Sequence, residues 1–133
     1  MISKVFYQGN LRTKCVHLKS GNEIVTDAPV DNFGKGEAFS PTDTVATALA
    51  SCMVTVMAIK ADQLNIDFKN ITSDVEKIIS TTPRMISEIK VQINLPLKIS
   101  KKNKVIIERA DDNCPIHNSL NPKLKRTIKY IWI

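Results

Sequence analysis

The chain has 133 residues, 43% of them hydrophobic, 24% charged and 5% aromatic, a composition that belongs to a folded globular protein and excludes a disordered one. At this length it can bury roughly two-thirds of its unfolded surface as a single domain, 1–133, without disulfide staples or a structural metal, and two separate domains would each be too small. Nineteen Lys plus Arg against thirteen Asp plus Glu give a net charge of +6, which favours anionic partners without naming one. The odd count of three cysteines, and an N-terminus from Met1 to Tyr7 with no long apolar stretch, point to a reducing cytoplasm rather than a secreted disulfide framework.

In chain order, Gly9-Asn10 separates two short segments, Ile2 to Gln8 and Leu11 to Leu18, and reads as a two-residue hairpin turn in which Gly supplies the positive φ. A second turn at Ser20-Gly21-Asn22 leads into a third strand, Glu23 to Thr26. Asp27 to Phe39, with Pro29, Gly34 and Gly36, has no period and is a loop of a length that often carries function. The clearest helix start follows at Ser40-Pro41-Thr42-Asp43, where Ser40 can cap, Pro41 suits the first helical position and Asp43 can close a capping box. This helix is expected to run to about Leu64. Its apolar residues occupy nearly all sides, with only Thr44, Thr47, Ser51 and Thr55 forming a thin polar stripe, so it should be buried. A membrane span is not expected, because four hydroxyl residues interrupt the run and Asp43, Lys60 and Asp62 bound it.

Beyond it, Met85, Ser87, Ile89, Val91, Ile93, Leu95 and Leu97 alternate with Glu88, Lys90, Gln92 and Asn94, the period of a strand with one wet face. Ile71 to Ser80 should be its hairpin partner across Thr81-Thr82-Pro83-Arg84. Ser100 to Asp112 reads as an amphipathic helix with Val105, Ile106 and Ala110 inward, and Thr127 to Ile133 as a closing strand. The order is β-β-β-α-β-β-α-β, with antiparallel hairpins and helices that do not alternate one-to-one with strands, hence an α+β fold.

Two cysteines are candidates for thiol chemistry. Cys114-Pro115-Ile116-His117-Asn118-Ser119-Leu120 places a thiol just before a Pro that would open a short helix. Unpaired amides at a helix end favour thiolate over thiol, so this reading makes Cys114 the more acidic cysteine. The plainer alternative is a small apolar residue at a helix start. Cys52 lies mid-helix, where a cysteine is more often a core residue than a nucleophile.

The segment Ser40-Pro41-Thr42-Asp43-Thr44-Val45-Ala46-Thr47-Ala48-Leu49-Ala50-Ser51-Cys52-Met53 resembles the central helix of the OsmC/Ohr family of osmotically inducible and organic hydroperoxide resistance proteins, in which a Ser/Asn-Pro start leads through small residues to a reactive cysteine. Cys114-Pro115-Ile116-His117-Asn118-Ser119-Leu120 is similar to the family's second cysteine motif, and length and element order agree over nearly the whole chain. The resemblance implies an intertwined α+β homodimer with a long buried central helix, active sites at the subunit interface, and thiol-dependent reduction of organic, fatty-acid type hydroperoxides. By position, Cys52 would be the peroxidatic thiolate and Cys114 the resolving thiol, recycled through a disulfide by a thiol reductant of the dihydrolipoyl kind, with no cofactor, metal, nucleic acid or membrane involved. That assignment conflicts with the helix-end argument for Cys114.

The sequence also departs from the family pattern. Hydroperoxide-reducing members pair an N-terminal arginine with a glutamate ten residues before the cysteine, where this chain has Thr42, with Asp43 beside it. Asp43 is a substitute candidate that already has a capping reading. Arg12 is the first choice for the cation among Arg12, Lys14, His17 and Lys19, with Arg84 a weaker alternative. The departure makes a hydrophobic-ligand or thiol-ester-binding relative without peroxidase activity the alternative function. Cys15 with His17 and Cys114 with His117 could be halves of a zinc site, but neither has the spacing of a common finger. The C-terminal basic residues, including Lys101, Lys102 and Lys104, read as a solvated face, because no aromatic residues are interleaved with them before Tyr130 and Trp132.

Overall fold

A computed structural model describes residues 1–133, which divide into two compact units, Met1–Val45 and Ala46–Ile133. In the first, β1 (Ser3–Gly9) pairs antiparallel with β2 (Arg12–His17), and β3 (Glu23–Asp27) adds to the other side of β2. Gly9 lies opposite Arg12, so the two turn residues are Asn10 and Leu11, one position later than the sequence suggests. Both take positive φ, 53° and 61°, the conformation whose twist matches that of the strands it joins. Gly9 sits instead at the register shift that feeds the turn.

The loop after β3 contains one 3-10 turn, Val30–Asn32, and returns to the sheet where Phe39 bridges Thr26. A side chain on Gly34 would overlap the backbone of Ala28, so this closely folded stretch requires glycine there.

The capping box forms as expected. The Ser40 amide donates to Asp43 Oδ2 at 2.9 Å and the Asp43 amide to Ser40 Oγ at 3.0 Å, opening α1 (Pro41–Gln63). Ala46, Leu49, Ala50, Met53, Met57 and Ala61 are buried along one stripe. The helix has the length and hydropathy of a membrane span, but this stripe belongs to the hydrophobic core of the second unit. Burial is therefore one-sided within the chain: Val45, Ser51, Thr55 and Ile59 are exposed, as expected of a helix that a single small sheet can cover on only one side.

The second unit's sheet has the order β4 (Thr72–Thr81), β5 (Arg84–Leu95), β6 (Lys125–Trp132). β4 and β5 form the expected hairpin, turning at Thr82-Pro83, because Thr81 already pairs with Arg84. β6 runs parallel to β5 rather than antiparallel, the chain crossing over through two helices. Ile89, Val91, Ile93 and Leu95 are buried, as the alternation requires. Met85, expected inward, is exposed. Ile78 pairs with Glu88 but Ile79 with Ile86, leaving Ser87 as a bulge that rotates the strand start, so that Ile86 joins the core in place of Met85. Leu97 lies beyond the strand, which ends before Pro96.

α2 (Lys101–Arg109) is capped by Ser100, whose Oγ accepts the Asn103 amide at 3.2 Å. Ile107 and Ala110 are its buried positions, whereas Val105 is exposed and Ile106 half-buried, so the inward face is rotated from the expected one. The helix tightens into a 3-10 turn, Ala110–Asn113, before α3 (Pro115–Ser119). Trp132 and Tyr130 are half-buried against the core, with Trp132 Nε1 donating to Glu108 at 2.7 Å and the Lys104 ammonium 5.1 Å from its ring. The element order is the expected one with a short third helix, and the class is α+β.

Candidate active site

Cys52 stands half-buried midway along α1, beside the buried Met53. Cys114 is fully buried, at 0% exposure, and forms the N-cap of α3. The two thiols are close enough for Cys52 to perturb Cys114, and both are free. Thus the two cysteines singled out in the sequence meet in the core of the second unit, while Cys15, also a free thiol, lies on β2 opposite Val5 and Ile24.

The turn around Cys114 is held from both sides. Its amide donates to the Asp111 carbonyl at 2.9 Å, its carbonyl accepts the Asn118 amide at 3.1 Å, and its Sγ accepts the His117 amide at 3.4 Å. Asp111 Oδ2 lies 3.2 Å from His117 Nδ1, close enough for an ion pair but off the line of a hydrogen bond. Arg126 of β6 donates through Nη2 to the His117 and Leu120 carbonyls, at 3.1 and 3.2 Å, neutralising the C-terminal end of α3.

These contacts overturn the helix-end argument for an acidic Cys114. Burial, and then the neighbouring Cys52 thiol, push its pKa up to about 11, outweighing the His117 and Ile116 amides that favour thiolate. The amides at the end of a five-residue helix cannot offset removal of the sulfur from water. Burial likewise raises the Asp111 carboxyl, opposed by His117 and Arg126.

Arg12 belongs to the first unit. Its Nη2 lies 3.3 Å from Asp27 Oδ2 and 3.3 Å from Glu37 Oε2. Asp27, only 1% exposed, also accepts the Glu37 amide at 3.0 Å; that bond, with Arg12 and Lys35, holds its carboxyl below the usual range against the opposing effect of burial. The group lines a cavity of about 120 Å³ together with Gln8, Asn10 and Lys35. Asp43 is engaged in the α1 cap, and Ser40 Oγ lies 3.1 Å from Thr42 Oγ1. Cys52 lies nine positions after Asp43 on the helix, a rise of about 13.5 Å along the axis. Arg84 opens β5 next to the hairpin turn. His17 Nδ1 lies 2.6 Å from Ser20 Oγ, and no three Cys, His, Asp or Glu side chains come together as a metal-holding group.

Asp27, Glu37, Asp111 and Arg126 were not singled out in the sequence. Asp27 and Glu37 fall at the start of and inside an aperiodic loop, and Arg126 reaches α3 from a distant strand. Only the spacing of Asp111 and His117 about Cys114 carried a local signal.

The profile of the OsmC-like protein family matches residues 34–129, a span that includes both cysteine motifs. A provisionally named osmotic stress induced and detoxification response protein from Psychrobacter arcticus is 46% identical, with 100% of this chain and 96% of that one covered and a TM-score of 0.91. An organic hydroperoxide resistance protein OsmC from Legionella pneumophila shares the fold at 15% identity, with coverage of 98% and 95% and a TM-score of 0.78. An OsmC-like protein from Mycoplasma pneumoniae does so at 19% identity, with coverage of 98% and 95% and a TM-score of 0.82. No curated protein matches the sequence. With the family profile spanning most of the chain and both cysteine motifs inside it, the chain belongs to the OsmC/Ohr family of OsmC-like proteins.

Proposed function

We propose that the protein is a cytoplasmic thiol peroxidase that reduces organic hydroperoxides in peroxide-stress defence. The observation that carries this reading is the contact between two free thiols of unequal burial, Cys52 half-buried and Cys114 fully buried. A buried thiol whose pKa is pushed to about 11 is protonated at neutral pH, which leaves Cys52 for the first attack and Cys114 for the second.

In this cycle the Cys52 thiolate attacks the outer peroxide oxygen and the O–O bond breaks. The alkoxide leaves, takes up a proton as the alcohol, and Cys52 becomes a sulfenic acid. Cys114 then attacks the Cys52 sulfur; the S–S bond forms, the S–O bond breaks, and the hydroxyl departs with the Cys114 proton as water. A dithiol of the dihydrolipoyl class returns both cysteines to thiols and is itself oxidised to a disulfide. The protein works as a homodimer, with the exposed side of α1, including Val45 and Ile59, covered by the second chain.

A second reading, a hydrophobic-ligand or thiol-ester binder without peroxidase activity, is favoured by Thr42 at the glutamate position and by the engagement of Arg12 with Asp27 and Glu37. Turnover of cumene hydroperoxide with dithiothreitol or a dihydrolipoyl system separates the two. Peroxidase activity predicts that Cys52→Ser abolishes consumption, whereas Cys114→Ser allows one turnover and leaves a trappable sulfenic acid on Cys52. Absence of any peroxide-dependent change on either cysteine would select the binder.

A further inference from the structure

Asp111 and His117 lie three residues before and three after Cys114, and their side chains meet across the turn that carries it, Oδ2 to Nδ1 at 3.2 Å. The same two residues supply main-chain contacts to Cys114, an Asp111 carbonyl for its amide and a His117 amide for its sulfur. The carboxylate that closes this ring is 7% exposed, and its Oδ1 is buried without a hydrogen-bond partner. A buried carboxylate so poorly compensated is costly to keep for stability alone. Arg126 extends the same framework by fixing the His117 and Leu120 carbonyls at the other end of α3.

We propose that Asp111 and His117 are positioning residues that clamp the Cys114 turn and so hold its sulfur against Cys52 for disulfide closure. The proposal rests on the reading of Cys52 and Cys114 as a redox pair and assigns the control of that pair to residues that do not themselves react. Its physical basis is effective concentration. A disulfide needs its sulfurs to close to about 2.05 Å in a narrow range of dihedral angle. A turn free to sample other shapes would lose this geometry for most of the time, whereas a turn tied across its own ends has already given up that freedom. The Asp111–His117 contact is the side-chain tie placed to do this, because it joins residues on either side of the cysteine.

The experiment is an equilibrium titration in glutathione redox buffers, which requires no peroxide. Two thiols and one oxidised glutathione yield the Cys52–Cys114 disulfide and two reduced glutathiones. All measurements are made in the Cys15→Ser background, with disulfide content read by mass spectrometry and folding followed by circular dichroism. Asp111→Asn and His117→Gln should each lower the equilibrium constant for disulfide formation about tenfold, a shift of about 30 mV, while remaining folded. His117→Lys, which places an ammonium opposite Asp111, should recover most of the loss. Asp112→Asn, which removes a neighbouring exposed acid, should match the parent. Folded Asp111→Asn and His117→Gln proteins with the parent's equilibrium constant would overturn the clamp while leaving the redox pair intact. A parent protein that forms no Cys52–Cys114 disulfide at any glutathione ratio would overturn the redox pair and the clamp together.

Discussion

At the scale of single residues, the chemistry of Cys114 is decided by competition between a helix end and burial, and burial prevails. Replacing Cys52 by Ser in the Cys15→Ser background removes the second contribution that raises Cys114, so its titration, followed by ultraviolet thiolate absorbance, should move down from about 11. A Cys114 pKa below the free-thiol value of about 8.5 in the protein that retains Cys52 would restore the helix-end argument. Asp27 presents the opposite case, a buried carboxylate whose partners win. Its pKa is lowered, first by the Glu37 amide and then by Arg12 and Lys35, so its stabilisation is complete above the unfolded value of about 3.9 and disappears as pH falls through the lower folded value. The stability gap between the parent and Asp27→Asn, from urea titrations at a series of pH values, should accordingly be constant near neutrality and shrink below about pH 4. A gap that persists unchanged at pH 3 would show that Asp27 acts through shape rather than charge. Both cysteines were legible in the sequence because each sits in a local motif. Asp27 was not, because its partners Arg12 and Glu37 are contributed by a neighbouring strand and a loop without period.

At the scale of elements, periodicity, caps and turn signals located every strand and the two longer helices, and the errors within them fall where a single residue alters phase. The alternation along β5 is correct from Ile89 to Leu95 but inverts at Met85, because the bulge at Ser87 leaves no trace in the pattern of apolar residues. Ile93→Ala should therefore cost about 2–5 kcal/mol, whereas Met85→Ala should stay within about 0.5 kcal/mol. Equal losses at the two sites in urea denaturation would contradict the bulge. The β1–β2 turn was misplaced by one residue because Gly9 is the more obvious candidate for positive φ. The structure assigns that conformation to Leu11 as well, with φ of 61°, where a β-carbon is unfavourable. Leu11→Gly creates an Asn-Gly pair suited to this turn. It should stabilise the protein by about 0.5–1 kcal/mol, the relief of left-handed strain outweighing the entropy of an added glycine. The signature is a higher urea midpoint with an unchanged slope.

At the scale of the whole molecule, the central question is what covers the far side of α1. Its residues are apolar nearly all round, from which the sequence already implied that a single small sheet could cover only one side, and the core of the second unit takes up one stripe. Ile59 remains 54% exposed on a helix otherwise built for a core, and Val5, Tyr7 and Ile24 are exposed together on one face of the first sheet. Apolar surface of this extent is unfavourable in water at roughly 25 cal/mol per Å², so it calls for a covering partner. A second copy of the chain is the simplest, and light scattering at micromolar concentration should find a dimer. A folded, monodisperse monomer under those conditions would refute it. The sharper test is Ile59→Glu. On the surface of a monomer this exchange should change stability by no more than about 0.5 kcal/mol. Within a dimer interface it buries an unpaired carboxylate, and the protein should dissociate or lose several kcal/mol of concentration-dependent stability. A parent and variant with the same mass in solution and the same midpoint at every protein concentration would place Ile59 outside any interface and leave the exposed side of α1 facing water.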